Sequence, residues 1–351
     1  MDTVIVSAGV VTPIGLSLEE TAASARARVA RLREIDWYDR RFEPFIVGTV
    51  PDDGLPPLDD ALAQEPLQFR EARMLRLAHA ALEQALAVLP VEVGPVPLLL
   101  GLPEHHTTQP IDGQRFLTRL AQQSKAGLDL KRSAAASRGR AAGVMALKQA
   151  VARLEREECK FIVVGGVDSL VDLYVLGTLD LQKRIRGETI SDGFSPSEGA
   201  AFLVLASSKT AETHSLKVLA RMSGTALGRE TGHFYAEEPY LGDGLADAFT
   251  SLLDAAKPSA PIGCVYASFN GERYWAREFG TARIRNTKYF ADDVQMEHPA
   301  ECFGDLGAAF GPALAALAAH GVANGYRRAP CLTYASSDHG DRAAILLEAI
   351  A

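Results

Sequence analysis

The sequence is poor in cysteine, in aromatic residues and in basic charge. Its 351 residues include four cysteines, and none stands in a CxxC or Cys/His spacing that would indicate a zinc site. The formal net charge is −8. Because phosphate neutralisation needs a concentrated basic surface, this composition argues against nucleic-acid binding as the main task. We expect no metal or other cofactor, and cysteines kept reduced in the cytoplasm.

Long hydrophobic runs are also scarce. The longest uncharged run, LGAAFGPALAALAAHGVANGY over 306–326, is rich in Ala and Gly rather than in Leu, Ile and Phe. It therefore predicts a buried core helix and not a membrane span. The opening MDTVIVSAG has no basic segment ahead of its apolar residues, so it predicts a first strand rather than a secretory signal.

The chain does contain an alternation of apolar strands and amphipathic helices. TVIVSAGVV, VPLLLGL, KFIVVGGVDSL and GAAFLVLAS are continuous apolar runs of strand length. Segments with helical spacing lie between them, for example 70–86 and 144–157, and Ser17 followed by Glu20 has the pattern of a capping box. Strands that are apolar on both faces predict a sheet covered by helices on both sides, which is an α/β architecture.

The second half of the sequence repeats the order of the first. The helical segment 245–256 corresponds to 70–86, and the helix at 306–323 corresponds to the one at 140–157. This repeat predicts two similar α/β halves, residues 1–207 and 208–351, with a central helix pair between two sheets.

A run of small residues, KRSAAASRGRAAG at 131–143, leads from the strand-like GLDL into the helix at 144–157. Tight strand-to-helix turns of this kind present a reactive Ser or Cys at a helix N-terminus in several enzyme folds. This turn contains no cysteine, so the sequence must have another reason for placing small residues there.

Together these segments resemble the beta-ketoacyl-acyl-carrier-protein synthases, a family with the thiolase-like fold. The resemblance rests on VIVSAGVVTPIGLSLEET, on FIVVGGVDSLVDLYVLGTLDLQKRI as a strand and its following loop, on SDGFSPSEGAAFLVL and on GDLGAAFG, in that order. It implies a five-layered α-β-α-β-α arrangement. It also implies scaffold roles for Glu198, Gly143, Gly271 and Gly307, which match family positions.

The family works with a Cys nucleophile, which carries the acyl chain as a thioester, and with two His residues. Alignment on Gly143 puts Ala135 at the Cys position, and alignment on Gly271 puts Asn270 at the first His position. Alignment on Gly307 puts Gly304 at the second His position. The resemblance therefore implies that all three catalytic side chains have been lost.

Two residues are candidates for a relocated nucleophile. Ser137 lies in the small-residue turn, where Ser137 and Ser133 equally fit a helix-capping role. Cys302 lies near the lost His position, where an inert buried thiol is the common case. The adjacent His105 and His106 are predicted to lie in a loop, because neighbouring histidines rarely share a metal ion.

The sequence thus favours a catalytically inactive synthase-like protein that acts through a protein partner. The partner is an active ketosynthase, as for chain-length factors, an acyl carrier protein, or an unrelated client of an adaptor or scaffold, for example in a secretion or effector system. The fold also implies a homodimer formed through the strand before the small-residue turn, near LDLKRS. The alternative is an acyltransferase or thioester hydrolase that uses Ser137 or Cys302.

Overall fold

The computed structural model of the protein describes residues 2–105 and 110–350. The strands in this part of the chain are β1 (Thr3–Val11), β2 (Leu32–Tyr38), β3 (Pro44–Gly48), β4 (Leu98–Leu102), β5 (Ala134–Ser137), β6 (Phe161–Ser169), β7 (Glu198–Ser207), β8 (Ala220–Arg229), β9 (Ile262–Tyr266), β10 (Phe290–Glu297), β11 (Cys331–Ser336) and β12 (Asp341–Glu348). The helices are α1 (Leu18–Arg26), α2 (Asp60–Ala63), α3 (Phe69–Leu86), α4 (Gly113–Ser124), α5 (Ala142–Glu155), α6 (Leu173–Leu181), α7 (Ser208–Thr213), α8 (Asp243–Ala256), α9 (Arg273–Arg285), α10 (Ala300–Phe303) and α11 (Phe310–Ala323).

Ten strands form one hydrogen-bonded sheet in the order β10-β9-β11-β12-β8-β1-β7-β6-β4-β5, so the two predicted sheets are joined edge to edge through β1 and β8. Outward from the central pair, the first half has the order β1-β7-β6-β4-β5 and the second half has the order β8-β12-β11-β9-β10. If only the strands of this sheet are counted, both orders are first, fifth, fourth, second and third. β1 and β8 join the two sets over three residue pairs only, Thr3–Ile5 against Ala220–Met222. The repeat found in the sequence is therefore present in the strand order, while the boundary between 207 and 208 stays a prediction.

Helices cover both faces of these strands and separate the two halves. α3 packs on β1, β6 and β7, and α8 packs on β8 and β12. α5 and α11 contact strands of both halves. One apolar core lies under α3 and α4, a second under α8, and the largest surrounds α5 and α11. The layers follow the order α-β-α-β-α, which confirms the predicted fold class.

The continuous apolar runs are explained by strands with two buried faces. β6 and β7 are buried along their whole lengths. In β6, Ile162 and Val164 face the core around α11, whereas Phe161 and Val163 face the core under α3. Since successive side chains of a strand point to opposite faces, both faces of such a strand must be apolar.

The two central helices approach closely because glycines lie where they cross. A β-carbon at Gly143 would lie 2.2 Å from Cγ of Pro312, and one at Gly311 would lie 2.7 Å from the carbonyl oxygen of Arg140. α11 is buried along almost its full length, as predicted for the run over 306–326. Within the described residues, no helix combines the length and the apolar character needed to cross a membrane.

The start of α1 confirms the predicted capping box in a slightly shifted form. The Ser17 hydroxyl accepts a hydrogen bond from the backbone N–H of Glu20 at 3.1 Å. The Glu20 carboxylate accepts from the N–H of Leu16 at 2.8 Å, one residue before the cap. Two backbone donors at the helix start are therefore satisfied by side chains.

Two local expectations were wrong, and one element was missed. GLDL over 127–130 is not a strand, because Asp129 accepts backbone bonds from Arg132 and Ser133 and turns the chain there. The strand is instead Ala134–Ser137, within the small-residue run itself. The segment after β6 was expected to be a loop, but Asp172 caps α6 by accepting from two backbone N–H groups. The hairpin β2–β3 was not predicted, since β2 is mostly exposed and charged.

Candidate functional site

The three positions that the resemblance assigned to the Cys and the two His have different surroundings. Ala135 lies in β5 and faces α4, where a β-carbon at Gly113 would lie 2.9 Å from that of Ala135. Gly304 follows α10 with a φ of 81°, and a β-carbon there would lie 2.6 Å from the carbonyl oxygen of Ser195. Asn270 is buried after β9 and is the one of the three that joins a charged cluster.

This buried cluster lies where the two central helices begin. Arg140, in the 3-10 turn Gly139–Ala141 before α5, donates Nη1 to Oδ2 of Asp305 at 2.6 Å. Asn270 donates Nδ2 to the same oxygen at 2.7 Å. Arg140 also donates Nε to the carbonyl oxygen of Ser336 at 2.9 Å. Arg140, Asn270 and Asp305 therefore meet at a single carboxylate oxygen.

Asp338 from the second half and Arg184 from the first half extend the cluster. Asp338, between β11 and β12, pairs with Arg140 through Oδ1 and with Nη1 of Arg184 at 2.6 Å through Oδ2. Arg184 makes a two-pronged ion pair with Glu272 at 2.7 and 2.8 Å. Glu272 also accepts from Nε1 of Trp275 at 2.9 Å. Two guanidinium groups and three carboxylates thus form one network, held by loops from both halves.

Aromatic side chains cover the two guanidinium groups. The guanidinium carbon of Arg140 lies 4.3 Å from the ring centroid of Trp275, and that of Arg184 lies 4.0 Å from the ring centroid of Phe234. Arg184 donates Nη1 to the hydroxyl of Tyr235 at 2.8 Å. Phe234 and Tyr235 belong to the loop between β8 and α8, which therefore closes the network from outside.

Burial and pairing together fix the charge of both arginines. Burial alone would lower the pKa of Arg140, but Asp338 and Asp305 outweigh it, so the pKa lies above its ordinary value. The same balance, with Asp338 and Glu272 as the partners, raises the pKa of Arg184. Both guanidinium groups therefore stay protonated, and the carboxylates around them are neutralised at short range.

A second buried pair holds the turn before α11, the 3-10 segment Gly307–Ala309. Asp168 accepts Nη2 of Arg70 at 2.7 Å and the backbone N–H of Ala308 at 2.9 Å. Burial raises the pKa of Asp168, against the opposing effect of Arg70. Gly307 has a φ of 54°, and a β-carbon there would lie 2.1 Å from Oδ2 of Asp168. The turn therefore requires glycine at this position.

Glu198 connects β7 to the first-half helices and hairpin. Its carboxylate accepts from the N–H of Val50 at 2.9 Å, from Nη2 of Arg73 at 2.7 Å and from the hydroxyl of Ser169 at 2.9 Å. Gly271, next to Asn270, has a φ of 123° and lies against the carbonyl oxygen of Gly193. These contacts join separate segments of the chain, and the scaffold role that the resemblance implies for both residues stays a prediction.

A small cavity opens beside the network. Its volume is about 60 Å³, which is room for a handful of water molecules at roughly 10–15 Å³ each on this measure. No Cys, Ser or His is among the described residues that line it. The lining consists of Arg70, Pro103, Glu104, Gly139, Arg140, Asp168, Leu170, Val175, Thr178, Leu179, Gln182, Arg184, Phe194, Asp305, Gly307 and Asp338.

The other candidate residues lie away from this cavity. Ser137 ends β5, and Cys302 is buried in the core around α11, where burial raises the pKa of its thiol. Ser133 accepts from the N–H of Leu98 at 2.9 Å and serves the turn before β5. The predicted helix-capping role of Ser133 and Ser137 was wrong, because α5 starts after Ala141 without a side-chain cap. His105 lies in a turn, whereas His106 is outside the described residues.

Sequence reasoning missed Arg140, Asp305 and Asp338, which form the centre of the network. Asp305 and Asp338 are the single charged residues of CFGDLGAA and YASSDHG, and Arg140 shares AAASRGRAAG with one other charged residue, Arg138. A single charge inside a segment that must be buried is the signal that would have pointed to a buried ion pair.

Comparison with known proteins gives matches at the level of structure only. No family model matches the chain, and no curated protein shows significant similarity to it. The ishigamide ketosynthase/chain length factor superposes with a TM-score of 0.80 at 17% identity, covering 100% of this chain and 99% of that one.

Two further solved structures agree. A chain of AntDE:AntF, a type II polyketide synthase acyl-carrier protein in complex with its ketosynthase bound to the hexaketide, gives a TM-score of 0.79 at 15% identity and covers 99% of both chains. The ketosynthase from module 6 of the bacillaene synthase of Bacillus subtilis 168 gives 0.81 at 13% identity, covering 100% of this chain and 72% of that one. The repeated strand order, the five layers and these superpositions over the whole chain agree, and the protein has the thiolase-like fold of the ketosynthases.

Proposed function

We propose that this protein is a non-catalytic ketosynthase-like subunit that acts by binding another protein. The observation that carries the proposal is the buried network of Arg140, Asn270 and Asp305 at the start of the two central helices. Asn270, which the resemblance aligns with the first His position, belongs to this network.

The geometry supports a revised assignment of the three lost positions. Alignment on single glycines selected Ala135 and Gly304, which face α4 and Ser195 respectively. Arg140 and Asp305, by contrast, both contact Asn270 or its bonding partner. We therefore assign Arg140, Asn270 and Asp305 to the places of the Cys and the two His.

The hydrogen bonds and charges of the network oppose the decarboxylation step of the family reaction. Decarboxylation builds negative charge on an enolate oxygen, and free hydrogen-bond donors must stabilise it. The Asn270 amide group already donates to Asp305 and Glu272, and Arg140 donates to Asp305, Asp338 and a backbone carbonyl. Among the described residues, four carboxylates and three guanidinium groups line the cavity, so their charges nearly cancel and offer an enolate no net positive charge. Binding therefore replaces catalysis in this proposal.

The free edge of the sheet supports a protein partner. β5 is the last strand in the order and pairs only with β4 in the described structure. Its residues are half-buried or exposed, and Ala136 is exposed. An unpaired edge is a template for pairing with another chain. From the likeness to a ketosynthase/chain length factor and to a ketosynthase bound to its carrier protein, we propose an active ketosynthase or its acyl carrier protein as the partner.

The test combines partner capture with an activity assay. Tagged protein is purified from its native cell, and retained proteins are identified for the wild type, for Ala136→Arg on the β5 edge and for Ala23→Arg on the exposed surface of α1. We expect a ketosynthase or carrier protein with the wild type and with Ala23→Arg, and its loss with Ala136→Arg.

Two outcomes would overturn the proposal. One is carbon dioxide release from malonyl carrier protein well above a no-protein control, because that requires a working site. The other is a wild-type protein that retains no partner lost in Ala136→Arg. Capture of an unrelated client at the same edge would assign the protein to the adaptor class instead.

A further inference from the structure

Helix α6 carries an apolar surface that nothing in the described structure covers. Its inner side chains Val175, Leu176 and Leu179 are buried against β3 and the segment around Phe194. Its outer face is nevertheless apolar too: Leu173 is 56% exposed and Leu181 is 65% exposed. A helix that is apolar on all sides is normally buried on all sides.

The exposed residues form a continuous stripe. Leu173, Gly177 and Leu181 are spaced by four and lie on one helix face, with Tyr174, 60% exposed, beside them. A β-carbon at Gly177 would meet nothing within 4 Å. The stripe therefore has large apolar side chains at both ends and open space at its middle, and it carries no charge.

This shape is self-complementary. Leu173 and Leu181 are equally far from Gly177 along the helix, so a two-fold axis through Gly177 brings Leu173 of one chain against Leu181 of a second chain. The missing side chain at Gly177 lets the two helices approach closely where they cross. A two-fold contact of this kind uses the same patch on both chains and closes on itself.

The charges at the helix ends select the antiparallel orientation. Lys183 and Arg186 follow α6, are exposed, and have no ion pair in the described structure. Asp172 caps the other end of the helix. Antiparallel pairing moves the two cations toward Asp172 of the second copy, whereas parallel pairing would set four cations together.

The apolar area suits a weak dimer. Phe42, 86% exposed, extends the stripe, because Arg40 holds the hairpin turn on the C-terminal end of α6 through Asp180. Three aromatic or leucine side chains of the stripe together with Phe42 offer roughly 500 Å² per chain, against about 800 Å² in an interface of standard size. Such an area lies at the small, weak and transient end of specific interfaces.

We propose that α6 is a docking surface for a second copy of this chain, paired antiparallel about Gly177. It is distinct from the β5 edge, which lies at the end of the sheet and stays free for the partner protein. The proposal goes beyond the proposed function and does not depend on it, because self-association is measured on the purified chain without any partner.

The test is sedimentation of the purified full chain over a range of concentrations. We expect a dimer that dissociates in the micromolar range, and a dissociation constant raised at least about 10-fold by either Leu173→Glu or Leu181→Lys. Mixing these two variants should restore dimerisation, because the antiparallel contact sets the new Glu against the new Lys. Ile284→Lys is the matched control, since Ile284 on α9 is 76% exposed and lies outside the stripe.

Several results would overturn this proposal. They are a wild type of one-chain mass at about 200 µM, single variants that behave like Ile284→Lys, or a mixture that stays monomeric. Binding of the monomeric wild type to anionic lipid vesicles, lost in Leu181→Lys, would assign the stripe to a membrane surface instead. Ala136→Arg should leave the dimer unchanged, so failure here and failure of the proposed function give different results.

Discussion

The turns that begin the two central helices share a backbone and differ in their side chains. Each starts at a glycine with positive φ, 62° at Gly139 and 54° at Gly307, continues as one 3-10 turn and leads into a 14-residue helix. The first turn then presents Arg140, and the second presents Ala308. Both halves therefore have the same backbone conformation at this turn, whereas the side chain that follows the glycine differs: it is Arg140 in the first half and Ala308 in the second.

The two turns are also tied across the molecule in opposite directions. Ala308, in the second half, donates its backbone N–H to Asp168 of β6 in the first half at 2.9 Å. Ala141, in the first half, donates its N–H to the hydroxyl of Ser337 in the second half at 2.8 Å. Each half therefore supplies the side chain that satisfies the helix start of the other.

The largest effect should come from breaking the charged turn. Arg140→Leu leaves Asp305 and Asp338 buried without this partner, so we expect the free energy of unfolding to fall by about 3–5 kcal/mol. Arg138→Leu is the matched control: its side chain is 56% exposed and pairs with Asp341, and it should cost at most about 1 kcal/mol. Urea unfolding of both variants measures the difference, and equal losses would show that the buried network adds no stability.

The next effect should come from the close approach of the two helices. Gly143→Ala places a methyl group 2.2 Å from Cγ of Pro312, and overpacking of this kind costs about 1–3 kcal/mol. Gly280→Ala in α9 meets nothing within 4 Å, so it should stabilise the protein by up to about 1 kcal/mol through helix propensity. Thermal unfolding should therefore move the two variants in opposite directions, and a shared direction would contradict the crossing described here.

A smaller, pH-dependent effect is expected at the rim of the cavity. The hydrogen bond and charge of Glu104 raise the pKa of His339, whose Nδ1 lies 3.3 Å from Oε1 of Glu104. A raised histidine pKa stabilises the fold fully below the ordinary value near 6.5, and this gain is lost as pH rises through the raised value. Because His339 is partly exposed, Glu104→Gln should lower stability by at most about 1 kcal/mol near pH 6.

The comparison that checks this is the stability difference between wild type and Glu104→Gln at pH 6 and at pH 8.5. The difference should shrink at the higher pH. A difference that grows with pH would show that the pair acts through something other than the charged imidazole.

The smallest effect is expected from installing a nucleophile where the alignment placed it. Ala135→Cys should give no condensation, since Ala135 faces α4 and the donors needed for the enolate are absent. Incubation with acyl-carrier thioesters and mass spectrometry should find no acylated protein. Acylation of Ser137 or Cys302 in the wild type would favour the acyltransferase or hydrolase alternative, whereas acylation of the new cysteine would contradict the statement that position 135 cannot serve as the nucleophile.

The fold was predictable because it follows from local patterns of apolar and polar residues that occur in the same order in both halves. Continuous apolar strands such as β6, the buried run of α11 and the order of the two halves all follow from residue periodicity and carry across the whole chain. The resemblance also marked Gly143 as a scaffold position, and the structure explains why, since close packing leaves no room for a side chain there. Each strand and helix is encoded by one contiguous segment, and its residue pattern can be recognised in the sequence without knowing the tertiary contacts.

The site was less predictable because it is built from five separate loops. Asp305 and Asp338 each lie one or two residues beyond a recognisable glycine or serine motif, and the resemblance pointed to the neighbouring Gly304 rather than to Asp305. The pairing of Arg140 with both acids spans 165 and 198 residues of sequence. No local pattern encodes such a distance, so only the folded chain brings these groups together.

The position of β1 bears on how the protein is made. β1 begins the described chain, yet its neighbours are β7, with Thr3 opposite Ser207, and β8, with Thr3 opposite Met222. During synthesis about 200 more residues must leave the ribosome before β1 finds a neighbouring strand, although α3 can pack on it earlier. Contacts of such long range form slowly and leave apolar edges open in the meantime. The two ladders of β1 are therefore expected to form late in folding, once β7 and β8 are present on either side of it.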